Sequence, residues 1–346
     1  MDKKLLKNAK IVLEASCRAK PGETVLMVAD AKLLPYAPAL ASAAVDLGLI
    51  PAIMDITHFL SSPSYSEGHV LEPLRAAMEA ADIVIANTRD VHDPTRADFS
   101  RLVGDPDVHD SHLTSERRWV YLQCNGVEKW NITTEAVVNL RKRTHWLVDL
   151  LKSSKTGRIT SPLGTDFTFG LGPDASYVPV LGIVPLYAEV AVVPSLEATS
   201  GVVVVDGPTQ LDVRPLNETD REPLRITVEA GRVVDMSGHL GQIERLKKFI
   251  ASGDPPADTI DEVGIVTTPF KENDIYYWSD GTHHHDRAHV ALGNNERRDD
   301  LVHGPRHMDG EISKPTISID ELVIVEDGVF VDKVMETDYK LSKRDT

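Results

Sequence analysis

The pattern of apolar residues changes near Ser154, and that change restricts the chain to a fold in two parts. Before it, short apolar runs alternate with longer helical stretches. Leu5 to Ala19 reads as a helix, TVLMVAD as a strand, Leu33 to Gly48 as a helix and PAIMDI as a strand. Leu71 to Ala81 is helical and feeds DIVIAN, WVYLQCN is a fourth strand, and Thr133 to Ser153 is a long helix. Alternation of this kind predicts an open, largely parallel sheet with helices on its faces. After Ser154 short strands dominate: GRITSPLGTDFTFGLG reads as a hairpin, followed by AEVAVVP, GVVVVDG, PLRITVEA, RVVDMSG, EVGIVTTP, HVALG, TISIDELVIVEDG and VFVDK. One clear helix, Leu240 to Ser252, interrupts them. Many short strands predict a twisted or barrel-like sheet. The expectation is an α/β domain over residues 1–153 and a β-rich α+β domain over residues 154–346 that carries any metal site.

Several function classes are disfavoured at once. TVLMVAD is not followed by a Gly-x-Gly-x-x-Gly turn, so the first strand carries no dinucleotide fingerprint. A formal net charge of -16 argues against nucleic acid and anionic membrane as partners. No apolar run approaches the roughly 18 residues of a membrane span. Two cysteines cannot build a disulfide framework. The N-terminal stretch lacks the apolar centre and cleavage site of a signal peptide. A cytoplasmic protein acting on a small molecule or short peptide is expected.

The chemistry concentrates between Glu262 and Asp309, which hold six of the 13 histidines. His307 and Asp309 are two apart, so in a strand both point to one face and can serve one metal. The bland reading is a solvent-exposed turn between Gly304-Pro305 and Gly310. His289 lies in the apolar run RAHVALG, where a satisfied core histidine is the commoner outcome. Glu262 opens EVGIV, and Glu189 sits among apolar neighbours in YAEVAVVP, where a lone charge is expensive unless paired or ligated. The His283–His285 run is the composition of a metal-binding tract or of a plain polar loop. Arg287, Arg297, Arg298 and Arg306 flank these segments, either to receive a substrate carboxylate or to balance the acids.

The ordered set GTDFTFGL, AEVAVVPSLEATSGVVVVDG, ITVEAGRVVD, EVGIV, AHVALG and HMD with DELVIVEDG resembles the thermophilic metallopeptidases, the group of aminopeptidases T and S, over about residues 155–332. That resemblance implies two zinc or cobalt ions held by Glu189, Glu262, His289, His307 and Asp309, an aminopeptidase-like hydrolase, and a homo-oligomer. Such an ion pair activates a bridging water and polarises a carbonyl, with a carboxylate as general base. Glu262 and Glu296 are then the catalytic candidates. Glu296 stands where the peptidases carry a tyrosine, a departure that bears on specificity.

The 2,5-dihydroxypyridine dioxygenases, of similar length, resemble the same group. This second resemblance implies one Fe(II) in a facial triad of two histidines and a carboxylate, with Glu262 near the position of the first histidine. His289, His307 and Asp309 supply the same residue types. The leading expectation is therefore a dinuclear amide or peptide hydrolase. The alternative is a mononuclear Fe(II) dioxygenase that cleaves a hydroxylated pyridine or similar aromatic ring, and a third reading is a metal-binding protein without turnover.

Overall fold

The computed structural model describes residues 2–67, 69–87, 118–122, 130–185, 187–207, 222–252, 256–268, 287–293, 307–331 and 333. They form two compact units. The first takes the described residues up to Arg141 together with Val180–Ala188; the second takes Lys142–Pro179 and the described residues from Glu189 onward.

In the first unit, β1 (Thr24–Ala29), β2 (Ile50–Asp55), β3 (Ile83–Asn87) and β4 (Trp119–Leu122) lie in the order β2-β1-β3-β4, all parallel. The two-residue strand Ile183–Val184 adds to β4. Helices α1 (Lys3–Ile11), α2 (Ala37–Asp46) and α3 (Glu72–Ala80) fall between or before the strands. Parallel strands need crossovers and are covered on both faces. Accordingly Val25–Ala29 and Ile83–Ala86 are buried throughout. Asp2 caps α1, its carboxylate accepting the Lys4 N–H at 2.7 Å. The parallel sheet expected of the N-terminal part is therefore present.

The second unit opens on the hairpin β5 (Thr156–Thr160) and β6 (Asp166–Gly170). Alternation in β6 places Phe167 and Phe169 in the core and leaves Asp166 outside. The two rings stack at 6.5 Å between centroids. β7 (Ser176–Val180) pairs with a later strand, numbered β9 (Glu189–Val193); Ile183–Val184 of the first unit is β8. There follow β10 (Ser195–Val205), β11 (Leu224–Glu229), β12 (Arg232–Ser237), β13 (Thr259–Val266), β14 (Arg287–Gly293) and β15 (His307–Ser313). The chain ends in β16 (Thr316–Ile319), β17 (Leu322–Glu326) and β18 (Val329–Phe330). Helix Thr134–Ser153 (α4) precedes them and Leu240–Ile250 (α5) lies before β13.

The strands β10 to β15 are antiparallel neighbours in sequence order. Their ends also meet. The N–H groups of Asp206 and Gly207, just past β10, each donate to the Glu311 carbonyl of β15 at 3.2 Å. The Ser313 N–H donates to the Asp206 carboxylate at 2.8 Å. These bonds tie the end of β10 to β15 and give part of the outer edge of β15 its hydrogen-bond partners. This is the β-rich part that the sequence predicted, a largely antiparallel sheet, and it carries the candidate metal ligands.

One polar clamp fixes the turn from β16 to β17. The Asp320 carboxylate accepts the N–H groups of Thr156 at 3.0 Å and Lys155 at 3.1 Å, and these bonds hold its acid below the ordinary carboxylate range. A depressed folded-state value stabilises the fold above about pH 4, and that contribution is lost as pH falls through the folded value. Asp320→Asn is therefore expected to lower stability at pH 7, with the gap to wild type narrowing below about pH 4. Urea unfolding at both pH values reads this; a gap independent of pH would count against the clamp.

Candidate metal centre

Cross-strand register decides which side chains meet. In β14, Ala288, Val290 and Leu292 belong to the apolar core, so Arg287, His289 and Ala291 occupy the opposite face. Register pairs His289 with Gly264 of β13 and with Glu311 of β15, and Ala291 with Glu262 and Asp309. In β9, Val190 and Val192 face the core, which leaves Glu189 on the other side, opposite Val266. Four strands thus bring Glu189, Glu262, His289, Asp309 and Glu311 to one face. All five are at most 4 % exposed.

The atoms confirm the register. One ligand atom from each of Glu189, Glu262 and His289 lies within 4.8 Å of the others, so the three can share an ion. His289 Nε2 is 3.1 Å from Glu262 Oε1, and its Nδ1 is 3.9 Å from Glu189 Oε2. His307 Nε2 lies 2.8 Å from Asp309 Oδ1 and 3.8 Å from Glu262 Oε2, while its Nδ1 is 2.9 Å from Asp261 Oδ2. Burial by itself pushes the His289 imidazole toward neutrality. Glu189, Asp309 and Glu262 outweigh it and hold the pKa well above the ordinary histidine value. His307 behaves alike, with Asp309, Asp261 and Glu262 outweighing burial.

Buried carboxylates in such numbers are unfavourable without a cation. Arg287, on the same face, offsets part of the charge. The donors are carboxylate oxygens and imidazole nitrogens, a set that suits Fe(II) or a similar dication. Cys17 belongs to the first unit, and burial pushes its thiol up to about 12. The residues present therefore fit a bound divalent ion.

Gly264 is part of this fit. A Cβ built on it would fall inside the His289 ring, so the imidazole lies directly over the glycine backbone. No larger residue leaves room for the ring in that position.

Sequence reasoning reached Glu189, Glu262, His289, His307 and Asp309, and all five lie in the β9–β13–β14–β15 region. It missed Asp261 and Glu311. Glu311 continues the alternation of His307 and Asp309, so a period of two carried one step further would have found it. Arg287, expected either to receive a substrate carboxylate or to balance the acids, is a buried residue. Glu296, Arg297, Arg298, Arg306 and the His283–His285 run lie outside the described residues.

The family model of NicX, 2,5-dihydroxypyridine 5,6-dioxygenase, matches residues 132–332, more than half of the chain. The chain belongs to this dioxygenase family. The structure of 2,5-dihydroxypyridine dioxygenase from Pseudomonas putida KT2440 is similar with a TM-score of 0.60 at 16% identity, covering 94% of this chain and 96% of that one. Wild-type AmpT from Thermus thermophilus is similar with a TM-score of 0.60 at 16% identity, covering 95% of this chain and 99% of that one. At that identity both likenesses speak for the fold alone. No curated protein matches the chain.

These findings correct the leading expectation from sequence. A dinuclear site needs two sets of converging donors about 3.5–4 Å apart. Among the described residues a single three-residue group, Glu189, Glu262 and His289, converges on one point. One ion, not two zinc or cobalt ions, matches that group. With the dioxygenase family match, the aminopeptidase-like metallohydrolase reading is set aside.

Gly264→Ala is expected to displace the His289 ring and weaken metal binding by at least about 10-fold, the lower end of the effect of disturbing a ligand's support. Overpacking should also lower stability by about 1–3 kcal/mol. Metal titration and denaturant unfolding check the two effects separately; unchanged metal affinity would show that His289 is not needed where it stands.

Proposed function

We propose that this protein is a mononuclear Fe(II)-dependent dioxygenase that cleaves the ring of a hydroxylated pyridine or a similar aromatic compound. The observation that carries the proposal is the single converging group among the described residues, on a chain of the dioxygenase family. Glu189, Glu262 and His289 would hold the ion. His307 and Asp309 offer a second imidazole–carboxylate couple from the neighbouring strand, with His307 Nε2 already 3.8 Å from Glu262. With them the site offers the residue types, histidines and carboxylates, that mononuclear iron oxygenases use.

The ion, when bound, supplies the redox chemistry that lets oxygen react with a closed-shell aromatic ring. The protein's own part is to hold and screen. Burial of Glu189, Glu262, His289 and Asp309 excludes bulk water and strengthens each electrostatic contact. Glu262 sits between the two histidines, within 3.1 Å of one and 3.8 Å of the other, so its charge acts on both. We assign the roles of Glu262 and Glu296 in catalysis, residues 154–346 as the catalytic domain and residues 1–153 as an α/β domain to the same proposal.

No helix among the described residues is long and apolar enough to cross a membrane. With the acidic net charge, this supports a small-molecule partner in place of nucleic acid or membrane, and we propose a cytoplasmic homo-oligomer.

Anaerobic reconstitution followed by elemental analysis is expected to give about one iron per chain. Oxygen uptake should follow addition of 2,5-dihydroxypyridine or a related hydroxylated aromatic. Glu189→Gln and Glu262→Gln are each expected to reduce both iron content and uptake by more than about 10-fold. Full uptake by an iron-free double variant, or no uptake across hydroxylated pyridines and catechols by the loaded wild type, would overturn the proposal.

A further inference from the structure

The strand that brings Glu262 to the site is irregular at the residue before it. Ile260 pairs with Leu292, yet Glu262 pairs with Ala291, so Asp261 is an extra residue in the ladder between β13 and β14. This is a β-bulge, two residues opposite one. In a regular strand Asp261 would stand opposite Ala291, and Glu262 would turn to the core face with Val290. The bulge sets Glu262 on the site face and leaves Asp261 free to reach the same region. Asp261 is 3% exposed, and its Oδ2 lies 2.9 Å from His307 Nδ1. The other ring nitrogen, Nε2, faces Asp309 at 2.8 Å and Glu262 at 3.8 Å.

We infer that Asp261 is a positioning residue for His307, fixing the proton on Nδ1 and presenting the Nε2 lone pair to the metal centre. The inference rests on the reading above that His307 serves the ion. The chemical reason is general. A neutral imidazole carries its proton on one nitrogen, and a carboxylate acceptor at Nδ1 selects which one. The same contact fixes the rotation of the ring and raises the basicity of the opposite nitrogen. A buried carboxylate is itself unfavourable unless a donor meets it, and His307 Nδ1 is that donor. Asp261 thereby acts through His307 and does not need to touch metal or substrate.

The test uses the full chain and Mn(II) as an air-stable probe ion, with unbound Mn(II) read by its electron paramagnetic resonance signal. Asp261→Leu removes the acceptor at similar size and is expected to weaken Mn(II) binding by about 10- to 100-fold. Asp261→Asn keeps one acceptor oxygen and is expected to restore most of that loss. In a His307→Ala background, Asp261→Leu should have no further effect on affinity, because the residue it acts through is gone. If Asp261 served only the bulge, both substitutions would lower the melting temperature of the apo-protein while folded protein bound Mn(II) as wild type does. That result overturns the inference, as does an equal loss of affinity in the His307→Ala background. Should wild-type protein bind neither Mn(II) nor Fe(II), the metal-centre reading itself falls and this inference with it. Normal wild-type binding with a silent Asp261→Leu overturns the positioning role alone.

Discussion

Burial of β13, β14 and β15 on both faces is the constraint on which the rest depends. One face packs Val263, Ile265, Val290, Leu292, Met308 and Ile312 into the core. The other must then hold whatever is polar, and it holds Glu262, His289, Asp309 and Glu311, each nearly inaccessible to solvent. Charges in that position are unfavourable unless they meet partners or a cation. The strand ladder cannot relieve the strain by turning them out, because a shift of one residue would drive the apolar set out of the core. The register is therefore pinned by the hydrophobic face, and the polar face is left to gather the candidate ligands.

The bonds between the end of β10 and β15 support this arrangement from its edge. β15 would otherwise present unpaired backbone groups. Asp206 and Gly207 bond its Glu311 carbonyl, and the Asp206 side chain takes the Ser313 N–H. Gly207 is needed there, since a Cβ on it would press on the Arg287 guanidinium and on Glu311. This link thus also packs against Arg287 and Glu311, the two charged residues flanking the ligand group. Two glycines, Gly207 and Gly264, serve the site by leaving space for a cationic or imidazole side chain above bare backbone.

Much of this was legible in the sequence, for reasons that differ by residue. The parallel sheet followed from apolar runs alternating with helical stretches. His307 and Asp309 followed from the period of a strand. Glu189, Glu262 and His289 stood out as polar residues in apolar runs, but only the resemblance made them one ligand set, because a strand buried on both faces shows no polar–apolar alternation to read; β13 is buried at every position. Asp261 was invisible since nothing in Asp-Glu-Val announces a bulge. The number of ions was misread for a related cause. Carboxylates and imidazoles serve hydrolytic pairs and single oxygenase ions alike, and composition does not say which atoms converge. The distances do, and they converge on one point.

The bulge ties the fold to the chemistry more closely than any single ligand. Two adjacent acids in a regular strand face opposite ways, so Asp261 and Glu262 could not both serve one side. Inserting one residue into the ladder puts Glu262 in line with Ala291 and Asp309 while Asp261 stays within 2.9 Å of His307. A repaired ladder would gain a backbone pair and put Glu262 among valines. The regular strands on either side make that exchange unfavourable, since they fix where Ile260 and Val263 must pack. Irregularity at one position is stable here because regularity at its neighbours leaves it no alternative, which is how a sheet can hold a carboxylate-rich centre in its interior.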